Sequence, residues 1–246
     1  MKNNKVVADK EKMKEFFDTV LNPLKDDEVY VMFSVARKKW DTENSLSRSE
    51  EALMRKIIKD NDFDRFYRTL LRFEVPNESL VDRNTDTTIP ESVIGYYIDI
   101  SPKSVIKGSE LLMNELLSQL LNTRTNSNDL KGLKGINGKV FSCMARSHSK
   151  KYYKILDVDT LDDSVLHTTI DLLKNYEIEI KWISRTRGGY HIILPLNENT
   201  PIFYKSVWPL LNGQFGKLIE LTDRATPIVG TYQGGHIVSK VEIDIK

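Results

Sequence analysis

Between residues 150 and 200 the chain alternates pattern in a way that leaves few folds open. "YYKILDVD" (152–159) is an apolar run, and "TLDDSVLHTTIDLLKNY" (160–176) has helical spacing with Thr160 as its expected start. "EIEIKWIS" (177–184) and "YHIILPL" (190–196) are two further strand-like runs joined by "RTRGG". The short glycine-containing link makes those two an antiparallel hairpin, and the helical crossover makes the first and second strands parallel. In a split β-α-β unit the third strand inserts antiparallel between the other two, which places "YHIILPL" beside "KILDVD". His191 then neighbours the acids that end the first strand.

Those acids, Asp157 and Asp159, alternate along an extended strand and share a face. Two carboxylates so close repel unless a cation joins them. A hard divalent metal is the natural partner, because Mg²⁺ takes one or two carboxylates, keeps waters and leaves positions for phosphates. The same tripeptide also suits a strand running into a polar turn, with Asp162 and Asp163 continuing a solvated helix start. In "SRTRGGYH", Arg185 and Arg187 can grip phosphate oxygens bidentately and the turn can present backbone amides; an ordinary hairpin with solvated arginines has the same letters. Asp223, after "LIEL", is a candidate third acid from a separate strand, and Arg224, the glycines at 230, 234 and 235 and Lys240 follow it. Tyr232 and His236 are candidates to line the same pocket.

The rest of the chain reads as a mixed α/β assembly. Helices are expected over "MKEFFDTVLNPL" (13–24), "LSRSEEALMRKIIKDN" (46–61, with Ser47 and Glu50 at capping-box spacing) and "FDRFYRTLLRF" (63–73). Strands are expected at "EVYVMFSVA" (28–36) and "VIGYYIDI" (93–100). Ser101 and Pro102 then cap and open a helix through "VIKGSELLMNELLSQLL". "NTRTNSNDLKGLKGING" (122–138) is the best boundary, dividing an N-terminal α/β subdomain (1–130) from a catalytic unit (131–246). In the second half, "FYKSVWPLLNGQFGKLIELTD" supplies a helix and a strand. The fold class expected is α+β, with mainly antiparallel sheet in the second unit.

Charge and cysteine content narrow the setting. Thirty-six Lys and Arg balance thirty-five Asp and Glu, so any nucleic-acid surface is local rather than global. Two segments have the composition for one. "VARKKW" (35–40) combines Arg37, Lys38 and Lys39 with Trp40; "ARSHSKKYYK" (145–154) places Arg146, His148, Lys150 and Lys151 before Tyr152 and Tyr153, which can stack on bases. One cysteine, Cys143, excludes an internal disulfide and a cysteine-based zinc site, and fits the cytoplasm. No run has the length and apolarity of a membrane span, so no membrane partner is expected.

In order, DVD at 157–159, Gly189-Tyr190-His191 closing a glycine-containing hairpin, and Asp223 followed by "TPIVGTYQGG" resemble the archaeo-eukaryotic primase superfamily, especially the compact primase-polymerases of phages, plasmids and mobile elements. The resemblance is clearest over 150–240. In the first half, "VYVMFSVARKKW" and "YYIDISPKSVIKGSELL" are similar to that family's N-terminal α/β unit. The resemblance implies an RNA-recognition-like catalytic subdomain and template-directed nucleotidyl transfer on single-stranded DNA from nucleoside triphosphates. It implies that Asp157, Asp159 and Asp223 hold Mg²⁺ or Mn²⁺, and that His191, Arg187, Arg224 and Lys240 contact phosphates. Where the family has a small hydroxyl residue two before the histidine, this chain has Gly189, which offers its amide; Ser184, Thr186 or Arg187 would then carry phosphate affinity. Arg146, His148, Lys150, Lys151 and Tyr152 would meet primer or template. No helicase module accompanies these motifs, so a separate helicase is the expected partner. An accessory or replication-initiation DNA-binding protein of the same fold is the alternative, and neither His191 nor His236 forms the paired-histidine signature of a nickase.

Overall fold

The computed structural model describes residues 3–42, 45–82, 84–125, 136–223 and 225–242. Helix α1 (Lys10–Val20) is capped by Asp9, whose carboxylate accepts the Lys12 amide at 2.9 Å. It buries Met13, Phe16 and Val20. Strands β1 (Glu28–Arg37) and β2 (Glu50–Ile58) follow, then helix α2 (Phe63–Leu71), strand β3 (Ile94–Ser104) and helices α3 (Val105–Thr125) and α4 (Ile136–Arg146). The second half runs β4 (Tyr153–Val158), α5 (Asp163–Asn175), β5 (Trp182–Arg185) and β6 (Tyr190–Pro195). After it come α6 (Thr200–Ile202), a π-helical turn, α7 (Trp208–Phe215), β7 (Ile219–Thr222), β8 (Ala225–Pro227), β9 (Tyr232–Gln233), β10 (His236–Ile237) and β11 (Ser239–Lys240). The class is α+β and the strand pairings are antiparallel.

Several elements differ from their sequence reading, among them the strand expected over 177–184, which forms only from Trp182 to Arg185. Residues 50–58, expected as a helix, form β2 along β1. The register passes from Ser34 opposite Met54 to Val35 opposite Ala52, so Leu53 is the extra residue of a bulge. That bulge absorbs the adjacent apolar pair Leu53-Met54, which in sequence imitates helical spacing. Strand β3 runs through Ser101 and Pro102 and ends at Ser104, whose hydroxyl accepts the Lys107 amide at 3.2 Å and takes over the cap. Pro102 falls where the β1–β3 register shifts, so its missing N–H breaks no regular ladder bond. At α5 the cap is Asp162, which accepts the Ser164 amide, and not Thr160. Helix α4 had no counterpart in the reading, and most of the 122–138 boundary stretch (126–135) lies outside the described residues.

Two sheets result. The first has the order β10-β9-β3-β1-β2 with β8 also on β3, and the second the order β11-β5-β6-β4-β7. As expected, β6 lies between β4 and β5, and β7 adds to the far side of β4. Residues 225–237 thus return to the first sheet, across the division drawn from sequence. One face of the second sheet (Leu156, Val158, Ile183, Tyr190, Ile192) is covered by Leu166, Ile170 and Leu173 of α5 and by Phe203, Val207 and Leu211. The other face contributes Ile155, Trp182 and Ile193 to a core shared with Phe16, Met32, Ile98 and Ile100. Phe16 meets Trp182 edge to face at 5.6 Å. Among the described residues no helix is long and apolar enough to cross a membrane.

Candidate functional site

Alternation along β4 sends Asp157 to the opposite face from Leu156 and Val158, so it points with Ile155 toward the first sheet. Antiparallel register then lines up a row of side chains. Asp157 lies opposite His191 on β6 and Glu220 on β7; His191 lies opposite Ser184 on β5, and Ser184 opposite Lys240 on β11. His191 is 8% exposed, and its Nε2 is 3.2 Å from Asp157 Oδ1 while Nδ1 is 3.0 Å from Thr226 Oγ1. An ionised carboxylate only accepts, so Nε2 carries the proton; in the neutral imidazole the Thr226 hydroxyl donates to Nδ1. Burial pushes the Asp157 carboxyl up, but the His191 hydrogen bond, with the charges of His191, Lys39 and Arg37, outweighs it and holds the group below the usual carboxylate range.

Asp159 follows β4, its amide bonded to the Leu218 carbonyl at 2.8 Å, and its carboxylate Oδ1 is 3.5 Å from Lys39 Nζ. Lys39 belongs to the 3-10 turn Lys38–Trp40 after β1, so the first sheet supplies a cation to the acids of the second. The clustered charge at 157–159 is therefore met by His191, Lys39 and Arg37 within the protein itself.

The other sequence candidates divide sharply. Asp223 lies three residues beyond Glu220, on the order of 10 Å along β7. It pairs with Lys151, and with Lys154 at 3.3 Å, which hold its pKa down at about 2. Its depressed value stabilises the fold above pH ~4, and that contribution fades as pH falls toward 2. Asp223→Asn will lower stability at pH 7 by about 1 kcal/mol, and the gap to wild type in urea midpoints will close between pH 4 and 2.5. A gap that stays constant would remove the ion pairs as its cause. Lys240 pairs with Glu15 and Glu242 and covers the Trp182 ring, three strand spacings, or about 14 Å, from Asp157.

In the 185–189 turn, the Thr186 amide donates to the Gly189 carbonyl at 2.8 Å and the Gly189 amide to Thr186 Oγ1 at 3.1 Å. Both groups close the turn, which corrects the reading of the Gly189 amide as a phosphate donor. Arg187 is likewise a brace. Its Nη1 donates to the Ser92 and Gly234 carbonyls, both at 2.7 Å, and its guanidinium lies over Trp40 at 5.2 Å. Gly234 has φ +57°, and a Cβ there would sit 2.1 Å from Arg187 Nη1, so the arginine seats only against glycine. Ser184 is buried beside His191, with a hydroxyl that has no hydrogen-bond partner among the described residues. Burial, then Arg185 and Arg187, depress the pKa of His236, which puts it near the turn. Arg224 lies outside the described residues.

The 145–154 segment is tied down at the opposite end of β4. Arg146 pairs with Glu115, His148 takes a hydrogen bond from the buried Lys103 at 2.8 Å, Lys150 covers Tyr152, and Lys151 holds Asp223. The structure does not bring this set to Asp157. Sequence reasoning missed three members of this site: Glu220 opposite Asp157, Thr226 as the partner of His191, and Lys39 as a partner of Asp159. The alternation in "LIEL" carried a signal for Glu220, because it sets Glu220 apart from Ile219 and Leu221; nothing local marked the other two. Among the described residues no three His, Cys, Asp or Glu side chains gather closely enough to hold a metal ion. Asp157 and Asp159 offer two carboxylates, the number a hydrated Mg²⁺ takes when phosphates complete its shell. The chain matches no family model, no curated protein and no solved structure.

Proposed function

We propose that this chain is a metal-dependent nucleotidyltransferase of the primase-polymerase kind, extending or initiating a strand on single-stranded DNA. The observation that carries the reading is the cross-strand contact of Asp157 with His191, beside Asp159, on the face of β4 turned toward the first sheet. The strand order β7-β4-β6-β5 supports an RNA-recognition-like catalytic unit. Asp157 and Asp159 would hold Mg²⁺ or Mn²⁺, which when bound lowers the pKa of a 3′-hydroxyl and offsets charge on departing pyrophosphate. Glu220 is exposed one strand from Asp157, where opposed Cβ atoms stand about 5 Å apart, so a rotamer change adds a third carboxylate. His191, engaged at both nitrogens, is a positioning residue that keeps Asp157 oriented and ionised. Arg187 and the closed 185–189 turn support the wall beside Asp159.

The reading is tested by incorporation of labelled ribo- and deoxynucleotides on single-stranded DNA with Mg²⁺ or Mn²⁺, with and without a primer. Product in either case supports it, and product without primer makes the enzyme a primase. Asp223, held by two lysines away from Asp157, favours a second reading: an accessory DNA-binding protein of the same fold without turnover. DNA binding with no product under any metal would favour that reading.

A further inference from the structure

The turn carrying Lys39 looked in sequence like a strand end or a template contact, yet its ammonium approaches Asp159. Three segments far apart in the chain meet there. A Cβ built on Gly188 would lie 3.7 Å from Asp159 Oδ1 and 4.0 Å from Lys39 Nζ, so the 185–189 turn borders the ion pair directly. Both partners are about half exposed (53% for Lys39, 49% for Asp159), and pairs in that setting add little to folding. Arg37, the last residue of β1 before the turn, is engaged with Glu50 at 3.0 Å and lies over Tyr97 and Trp40. Lys39 is the lysine of this turn that reaches Asp159, and it does so on a long flexible stem with three donors.

We propose that Lys39 is a mobile counter-ion shared between the metal and the nucleotide: it neutralises Asp159 when no metal is bound and turns to the triphosphate when metal takes its place. This rests on the nucleotidyl-transfer reading and adds a residue and an order of events to it. A divalent ion at Asp159 and the Lys39 ammonium repel, so binding the metal alone requires the lysine to withdraw. A triphosphate bridging to that metal gives the ammonium a new anionic partner within reach of the Gly188 turn. Metal alone is then opposed by Lys39, and metal with nucleotide is assisted by it.

The two effects have opposite signs, which a structural or template role would not produce. Lys39→Gln will tighten binding of Mn²⁺ alone, followed by the paramagnetic resonance of the free ion, by about threefold. It will weaken binding of ATP with Mg²⁺, followed by calorimetry, by about tenfold. Lys38→Gln, an exposed neighbour on the same turn, will change neither by as much as twofold. Equal Mn²⁺ affinity in Lys39→Gln and wild type, unchanged ATP binding, or the same shifts in Lys38→Gln would each overturn the proposal while leaving the metal site standing. Failure of the wild-type protein to bind Mn²⁺ or ATP with Mg²⁺ would overturn the metal-nucleotide reading and this inference together.

Discussion

Asp157→Asn will reduce nucleotide incorporation on the order of 10³-fold, and Glu220→Gln on the order of 10²-fold, while Asp223→Asn will stay within about threefold of wild type. The ranking follows from register. Asp157 sits against His191 and on the face of Glu220, whereas Asp223 is displaced along β7 and held by Lys151 and Lys154. Asn at 157 keeps the volume and loses the charge that would hold a divalent cation, so the folded state changes little while the chemistry is lost. Thermal melts within about 3 °C of wild type would accompany the loss. Single-turnover incorporation rates measure the three variants side by side. If Asp223→Asn proves as inactive as Asp157→Asn, the third acid is Asp223, and the chain must rearrange around β7 to bring it in. If Glu220→Gln is fully active, the site works with two carboxylates.

The second large effect is on stability. Gly189→Ala will cost about 3–4 kcal/mol and lower the melting temperature by roughly 10 °C. A Cβ at 189 would lie 1.8 Å from the Val158 carbonyl oxygen, and 2.8 and 2.9 Å from the Thr160 amide nitrogen and carbonyl oxygen. Those are backbone atoms at the end of β4, so the collision cannot be relieved by a rotamer. Either the hairpin withdraws from β4, breaking the Asp157–His191 register, or β4 shifts and takes Asp159 with it. Gly189→Ser meets the same wall, which explains why this chain carries no hydroxyl residue two positions before His191. A Gly189→Ala protein melting within 2 °C of wild type would show that the turn has room the geometry denies it.

Legibility in the sequence tracked how local the determinants were. The β4-α5-β5-β6 frame was readable because a short glycine link and a helical crossover each dictate strand direction, and the order that follows puts His191 opposite Asp157. Residues 50–58 were misread because a single bulge residue, Leu53, shifts apolar spacing from a period of two to something helix-like. "IELTD" contains two carboxylates three residues apart, and only the β4–β7 register, set by packing of Ile219 and Leu221 with the α5–α7 side, puts Glu220 and not Asp223 opposite Asp157. Lys39 reaches Asp159, and Thr226 reaches His191, across the space between two sheets. That distance has no trace in spacing along the chain, and composition alone made Lys39 look like part of a template groove.

The return of residues 225–237 to the first sheet also sets a timetable for synthesis. Strand β3 is translated long before β8 and β9, which complete its free side, and Thr226, which steadies His191, arrives with them. Pairings between such distant segments close slowly, because the intervening chain must be gathered first. A nascent chain halted before residue 225 holds Asp157 and Asp159 already in sequence yet has neither a finished first sheet nor the hydroxyl that orients the histidine. The surroundings of the carboxylates are therefore set in place by one late, long-range closure, made only once residues 225–237 have emerged.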